Sequence, residues 1–173
     1  MRETPQQYTQ RILSYSEGKD ALAVQSTTAK KLAALTKGLA KSQLRRKPAP
    51  DKWSIAQIMA HLADAEVVLG WRLRLVLGSN GISIQPFDQD VWSSTFDYEH
   101  SDPRESLESF RTLRAANLAL LKRMPKELWN NYGMHQERGK ETVAHMVQMI
   151  AGHDLNHLRQ IEEIARNKAK RAA

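Results

Sequence analysis

Histidine is the residue type that could carry chemistry in this chain, which contains six histidines and no cysteine. Two of them, His153 and His157, are four residues apart. On an α-helix this spacing separates the two side chains by about 40°, so both imidazoles lie on one face, a turn apart. Such a pair offers two nitrogen donors to a divalent transition metal, which needs several donors converging from different directions.

A third donor has to come from another element, and His61 is the candidate. On helical geometry Met146 lies about 20° from His153, so the histidine pair falls inside an apolar stripe. His61 lies at the edge of the apolar stripe of its own predicted helix, near the polar residues Gln57 and Asp64. Three protein ligands leave a coordination position open, which is more typical of a catalytic metal site than of a structural one.

Three polar residues are candidates for supporting such a site. Gln160 lies about 20° from His153 on the same face and would orient a ligand or a bound water. Gln57 and Asp64 would form an outer shell around the ligands. The alternative interpretation is that these histidines bind no metal. An H-x-x-x-H pair is frequent by chance, and a single histidine in a core is usually just hydrogen-bonded. The spacing alone leaves both interpretations open.

The elements that must position these residues are predicted to be helices. Apolar residues recur at intervals of three and four, and no segment shows convincing strand alternation. The prediction is an all-α four-helix bundle, forming a single domain over residues 1–173. Its main helices are predicted to begin after Ser26, to run from the cap Ser54 to Gly78, to run from Asp102 to Pro125, and to run from about Lys140 to Arg166.

Two connections between the predicted helices are rich in aromatic residues. The long crossover loop over residues 79–101 contains Trp92, and the loop over residues 126–139 contains Trp129. Loops so rich in aromatic residues are expected to pack against the rest of the protein and not to be fully solvated. We predict that both loops wall a pocket next to the histidines.

Composition excludes several classes of protein. The absence of cysteine excludes disulfides, cysteine-type zinc sites, iron–sulfur clusters and a cysteine nucleophile. No apolar run approaches the length of a membrane span, and the first ten residues lack the apolar stretch of a secretory signal, so the expected location is the cytoplasm.

The formal charge of +7 could indicate nucleic-acid binding. Part of the positive charge forms two clusters. One lies in the predicted loop, with Arg45, Arg46 and Lys47, and the other in a predicted frayed tail, with Lys168, Lys170 and Arg171. Neither cluster has the interleaved aromatic residues of a single-strand binder. Nucleic-acid binding is therefore the least favoured function.

Two segments resemble the signatures of the DinB-like family of DNA-damage-inducible helical bundles, which is distinct from the similarly named polymerase. They are KWSIAQIMAHLADAE at 52–66 and AGHDLNHLRQ at 151–160. The resemblance extends from about residue 22 to residue 164. It implies a bundle with up-down-down-up topology that is often a homodimer. It also implies a metal, zinc or nickel for example, held by three family histidines that map onto His61, His153 and His157.

The resemblance also implies a range of activities. Its better-understood members are thiol-dependent transferases and isomerases that use bacillithiol or mycothiol, and many members have no assigned reaction. Asp154 stands where a common family form has Glu, and Leu158-Arg159-Gln160 stands where that form has Gly-Gln, so an exact substrate does not transfer.

The leading hypothesis is a metal-dependent enzyme, a thiol-dependent S-transferase or a hydrolase, acting on a small molecule. Because the chain has no cysteine, any thiolate would come from a low-molecular-weight thiol cofactor. The alternative is a non-catalytic stress-response or binding bundle with a structural metal site.

Overall fold

The computed structural model describes residues 3–169, with side chains described up to residue 166. Lys170 and Arg171 of the predicted tail lie outside the described residues. Within this range the helices are α1 (Pro5–Ser16), α2 (Ala21–Thr36), α3 (Lys41–Arg45), α4 (Ile55–Gly78), α5 (Gln89–Thr95), α6 (Pro103–Arg123) and α7 (Val143–Ala169). The strands are β1 (Ile82–Ile84), β2 (Tyr132–His135) and β3 (Gly139–Thr142), and a 3₁₀ turn covers Lys126–Asn130.

The two central helices begin at the capping residues that the sequence predicts. The Ser54 hydroxyl accepts a hydrogen bond from the Gln57 amide at 3.2 Å, and the Gln57 side chain accepts one from the Ser54 amide at 2.9 Å. This capping box satisfies two amides that the first turn of α4 leaves without helical partners. At the start of α6, Asp102 caps the Arg104 amide at 2.8 Å, and Pro103 occupies the first helical position.

Two buried apolar clusters fix the directions of the four long helices, α2, α4, α6 and α7. One cluster joins the first halves of α4 and α6 to the second halves of α2 and α7, through Ile58, Phe110, Leu32 and Ile161. The other joins the second halves of α4 and α6 to the first halves of α2 and α7, through Leu73, Leu121, Leu22 and Val147. Helices α2 and α7 therefore run one way and α4 and α6 the other, which confirms the four-helix bundle with up-down-down-up topology.

A small sheet corrects the expectation that the chain forms no strands. β1 pairs in parallel with β2, and β2 pairs antiparallel with β3, so the two aromatic connections meet in one sheet. Each strand has only three or four residues, which is too short for alternation to be visible. Because Gly139–Thr142 is a strand, the last helix begins at Val143 and not near residue 140.

Helix α1 packs against α7 beside the candidate histidines. The close approach depends on Gly152, because a Cβ at this position would overlap the carbonyl oxygen of Ile12. The glycine that precedes His153 in the second signature therefore has a packing role. Among the described residues, none of the helices combines the length and apolar character that a membrane crossing requires.

Candidate metal centre

The three histidines singled out in the sequence converge at one point between α4 and α7. The Nε2 atom of His153 lies 2.9 Å from Nε2 of His61 and 3.1 Å from Nε2 of His157. The three ligand nitrogens all lie within 4.8 Å of one another, and all three side chains are buried. Because α4 and α7 run antiparallel, His61 near the start of α4 faces the middle of α7.

Burial keeps the three imidazoles neutral. It lowers the pKa of His61 and of His153 well below the ordinary value, and the neighbouring His157 lowers both further. Burial also lowers the pKa of His157 to about 4, although its hydrogen bond to Gln160 partly opposes the shift. Neutral imidazole is the form that binds a metal ion, so no proton has to be displaced at pH 7.

A hydrogen bond sets the orientation of one ring. Oε1 of Gln160 lies 2.8 Å from Nδ1 of His157, so Nδ1–H donates to the amide oxygen and the lone pair of Nε2 faces the cluster. Nδ1 of His61 is buried without a hydrogen-bond partner. The three Nε2 atoms converge from two helices, and a divalent cation placed between them would accept all three Nε2 lone pairs. The residues fit a metal ion.

The other two predicted supporting residues have partners elsewhere. Gln57 is buried and engaged in the capping box of α4. Asp64 accepts a hydrogen bond from the Tyr98 hydroxyl at 2.5 Å. Among the hydrogen bonds of the described residues, none joins Gln57 or Asp64 to one of the three imidazoles, so an outer-shell role for them stays a prediction. Trp53, whose ring centroid is 5.0 Å from that of His61, covers the imidazole instead.

A cavity of about 440 Å³ opens beside the cluster, and His61 and His153 contribute to its wall. The crossover loop covers part of it through Phe87, on which Trp92 packs with ring centroids 4.8 Å apart. Trp129 instead packs into the second apolar cluster. The middle of the wall is apolar and comes from α4 and α7: Val68, Leu69, Met146, Met149 and Ile150.

Sequence reasoning missed the charged residues of the cavity wall. Arg138 and Glu141 form a two-point ion pair, with distances of 2.6 Å and 3.2 Å. Their proximity depends on the β2–β3 hairpin, which no pattern in the sequence predicted. Arg72 was findable, because eleven residues after His61 correspond to about 20° around α4 and so to the same face.

A second buried polar group, here called the ion network, lies close to the histidines along the same helices. The Arg114 guanidinium binds Asp154 at 2.5 Å and 2.9 Å and Glu66 at 2.8 Å. The Thr28 hydroxyl donates to Asp154 at 2.8 Å. Burial opposes the charge on Arg114, but the charges of Asp154 and Glu66 outweigh it and raise the pKa of Arg114. The ion network joins α2, α4, α6 and α7.

An antiparallel bundle with a buried three-histidine group beside a cavity defines a class, the helical bundles that carry a candidate metal site in their core. The family model of the DinB superfamily matches residues 26–161. The chain therefore belongs to the DinB superfamily.

Similar proteins carry names that refer to metals. "Putative metal-dependent hydrolase YfiT" of Bacillus subtilis is 28% identical over 116 residues, covering 66% of this chain and 65% of YfiT. "Putative metal-dependent hydrolase OB0413" of Oceanobacillus iheyensis is 27% identical over 110 residues, covering 64% of this chain and 63% of that protein. The chain thus spans just under two thirds of the length of these two relatives.

A solved structure shares the fold. The structure of YfiT from Bacillus subtilis, described as "a probable metal-dependent hydrolase with an unusual four-helix bundle topology", superimposes with a TM-score of 0.81. The match covers 98% of this chain and 93% of that one at 23% sequence identity. At this identity the similarity shows the fold alone.

Proposed function

We propose that this protein is a metal-dependent enzyme that acts on a small molecule, as a hydrolase or as a thiol-dependent transferase. The observation that carries the proposal is that His61 and His153, two of the three converging histidines, line a cavity. A purely structural metal site is closed by four protein ligands, whereas three ligands beside a cavity leave room for a substrate. The names of the relatives favour hydrolysis as the reaction class.

The roles of the residues follow from their contacts. His61, His153 and His157 would hold the metal, and an all-nitrogen set without thiolate suits zinc or nickel. Gln160 would keep the Nε2 lone pair of His157 directed at it. A bound divalent ion supplies Lewis acidity, which lowers the pKa of water or of a thiol toward neutrality.

The cavity supports the choice of a small-molecule substrate. Its volume of about 440 Å³ is in the range of pockets for small ligands. The apolar side chains of Met146, Met149 and Ile150 would exclude water around the reacting groups. Because the chain has no cysteine, a transferase reaction would need a low-molecular-weight thiol as a second ligand of this cavity.

The test is to purify the protein without added metal, measure its metal content, and assay it before and after chelation. We expect roughly one zinc or nickel per chain, and turnover of model esters or amides, or of an electrophile plus a thiol, that chelation abolishes and metal restores. The alternative, a non-catalytic bundle, predicts a metal whose removal lowers the melting temperature strongly, and no metal-dependent turnover with any of these substrates.

We also propose that the protein forms a homodimer, as the family resemblance implies. Val67 and Trp71 are one turn apart on α4 and are 49% and 62% exposed, so they form an apolar surface away from the cavity. The measurement is the molar mass in solution. A dimer that Trp71→Glu converts to monomer supports this interface, and a monomeric wild type contradicts it.

A further inference from the structure

Arg72 is a cation of the cavity wall that the proposed metal chemistry does not use. It lies on the same face of α4 as His61, and the residues between them on that face, Ala65 and Val68, also line the cavity. Eleven helical residues correspond to about 16 Å along the axis, and helical side chains lean toward the N-terminus, here back toward His61. The cavity therefore has one end at His61 and His153, where the proposed metal would bind, and a cationic end at Arg72.

The guanidinium of Arg72 lacks a carboxylate partner. Among the residues whose side chains are described, no Asp or Glu forms an ion pair with it, whereas nearby Arg138 is bound by Glu141 at two points. One Nη2 hydrogen bond, at 2.6 Å, goes to the carbonyl oxygen of Gln85, and the ring of Phe87 lies 5.8 Å away. These contacts hold the side chain in place but do not neutralise its charge.

His135 does not supply the missing acceptor. Its Nδ1 accepts a hydrogen bond from the Glu137 amide at 3.2 Å, so in the neutral ring Nε2 carries the proton. That Nε2 lies 3.5 Å from Nη2 of Arg72, so two donors face each other. Burial and the nearby positive charge of Arg138 lower the pKa of Arg72 to about 10, although the charges of Glu141 and Glu137 partly oppose the shift.

We propose that Arg72 binds a carboxylate of the substrate, and that the substrate is a small carboxylic acid whose reacting group is separated from the carboxylate by an apolar segment. This inference rests on the proposed function only for the reacting end. A guanidinium binds a planar carboxylate through two parallel hydrogen bonds. The cavity wall also carries Asp90 and Glu137, so a monoanion is favoured over a doubly charged phosphate monoester.

The test measures binding of three probes with equal chains: hexanoate, 1-hexanol and hexyl phosphate. Calorimetric titrations use the protein as purified and again after chelation, because a carboxylate could bind a resident metal directly. We expect wild type to bind hexanoate at least about tenfold more tightly than hexanol in both states, with hexyl phosphate weaker than hexanoate. Arg72→Gln should abolish the preference and leave hexanol binding within about twofold.

Two variants control for indirect effects. Arg72→Lys keeps the positive charge but cannot donate two parallel hydrogen bonds to a carboxylate, so it should retain part of the preference for hexanoate over hexanol. Arg74→Gln changes an exposed arginine on the same helix that is absent from the cavity wall, and it should leave the preference intact. The inference is overturned by equal binding of hexanoate and hexanol to wild type, by tighter binding of hexyl phosphate, or by equal losses for both probes in Arg72→Gln.

The two proposals can fail separately. The probes carry no reacting group, and the titrations after chelation need no metal. Absence of metal from the purified protein would therefore end the proposed function without affecting the carboxylate preference. If only the preference for hexanoate over hexanol is absent, the proposed metal-dependent function remains, but its substrate belongs to a different chemical class.

Discussion

Two buried polar groups lie next to each other in this bundle and differ in their charge and in their access to the cavity. In the ion network, the guanidinium of Arg114 is paired with the carboxylates of Asp154 and Glu66, and Thr28 also donates to Asp154, while Nε of Arg114 has no hydrogen-bond partner. In the histidine cluster three neutral rings turn their Nε2 atoms toward one another, and among the described residues no carboxylate joins them. The ion network is closed within the core, whereas the histidine cluster borders a cavity.

The difference distinguishes a group suited to a structural role from one suited to binding a ligand. A buried polar group whose charges compensate one another away from a cavity fixes the packing of the helices around it. A buried group of neutral donors that converge beside a cavity can instead bind a ligand or an ion that enters from the cavity. The adjacent residues His153 and Asp154 lie on opposite sides of this division, because their side chains point about 100° apart on α7.

The largest expected effect comes from breaking the ion network. Arg114→Ala leaves two carboxylates buried without a counter-charge, so we expect the free energy of unfolding to fall by about 3–5 kcal/mol. Denaturant titration measures it. Arg111→Ala, on the same helix, removes an exposed pair with Glu108 and should cost less than about 1 kcal/mol. Equal losses in the two variants would show that the ion network is not structural.

Breaking the histidine cluster should act on metal and not on folding. We expect His153→Ala to reduce the metal content from roughly one per chain to almost none, because two ligands on different helices hold a divalent ion poorly. The same change at His145, also on α7 but outside the cluster, should leave the metal content unchanged. Full metal content in His153→Ala would contradict the assignment of the site.

A smaller effect is expected at Gln160, which contacts the candidate ligand His157. Gln160→Leu removes the acceptor that orients His157, and we expect metal affinity to fall by about 10- to 100-fold. Gln160→Glu keeps an acceptor at this position and should retain most of the affinity. Competition with a chromogenic chelator measures both, and an unaltered affinity in Gln160→Leu would assign Gln160 to packing alone.

The smallest expected effect concerns a histidine outside the three-histidine cluster. His135 is buried but lies outside the cluster, and burial, with the charge of Arg138, lowers its pKa to about 4, against an opposing effect of Glu141. The unfolded chain therefore takes up the proton at a higher pH, near 6.5, than the folded one. The stability contributed by neutral His135 is complete above that pH and declines as the pH falls toward 4.

We expect His135→Gln to reduce the pH slope of unfolding between about pH 6.5 and 4 by at most about 1.4 kcal/mol per pH unit. Its metal content should equal that of wild type. Urea titrations at half-unit pH intervals give the slope. An unchanged slope would show that His135 is not kept neutral by the fold, and a loss of metal would extend the site to this loop.

Much of the fold and the histidine trio could be predicted from the sequence. Periodicity placed His153 and His157 on one buried face, and Ser54 and Asp102 marked the starts of α4 and α6, because helical order depends on neighbours within a turn or two. The same periodicity placed Arg72 on the face of His61, although its role was not anticipated.

The tertiary structure decided what distant segments do to one another. Strands β1, β2 and β3 are too short to show a local pattern, and β1 exists through its pairing with β2 some fifty residues further along the chain. Arg114 on α6 is a buried cation only because α4 and α7 place two carboxylates around it. The sequence by itself determined which faces of the helices are apolar and where imidazoles interrupt them. Which charges those faces enclose, and that a cavity opens beside His61, depends on packing between helices, where the decisive distances join residues far apart in the chain.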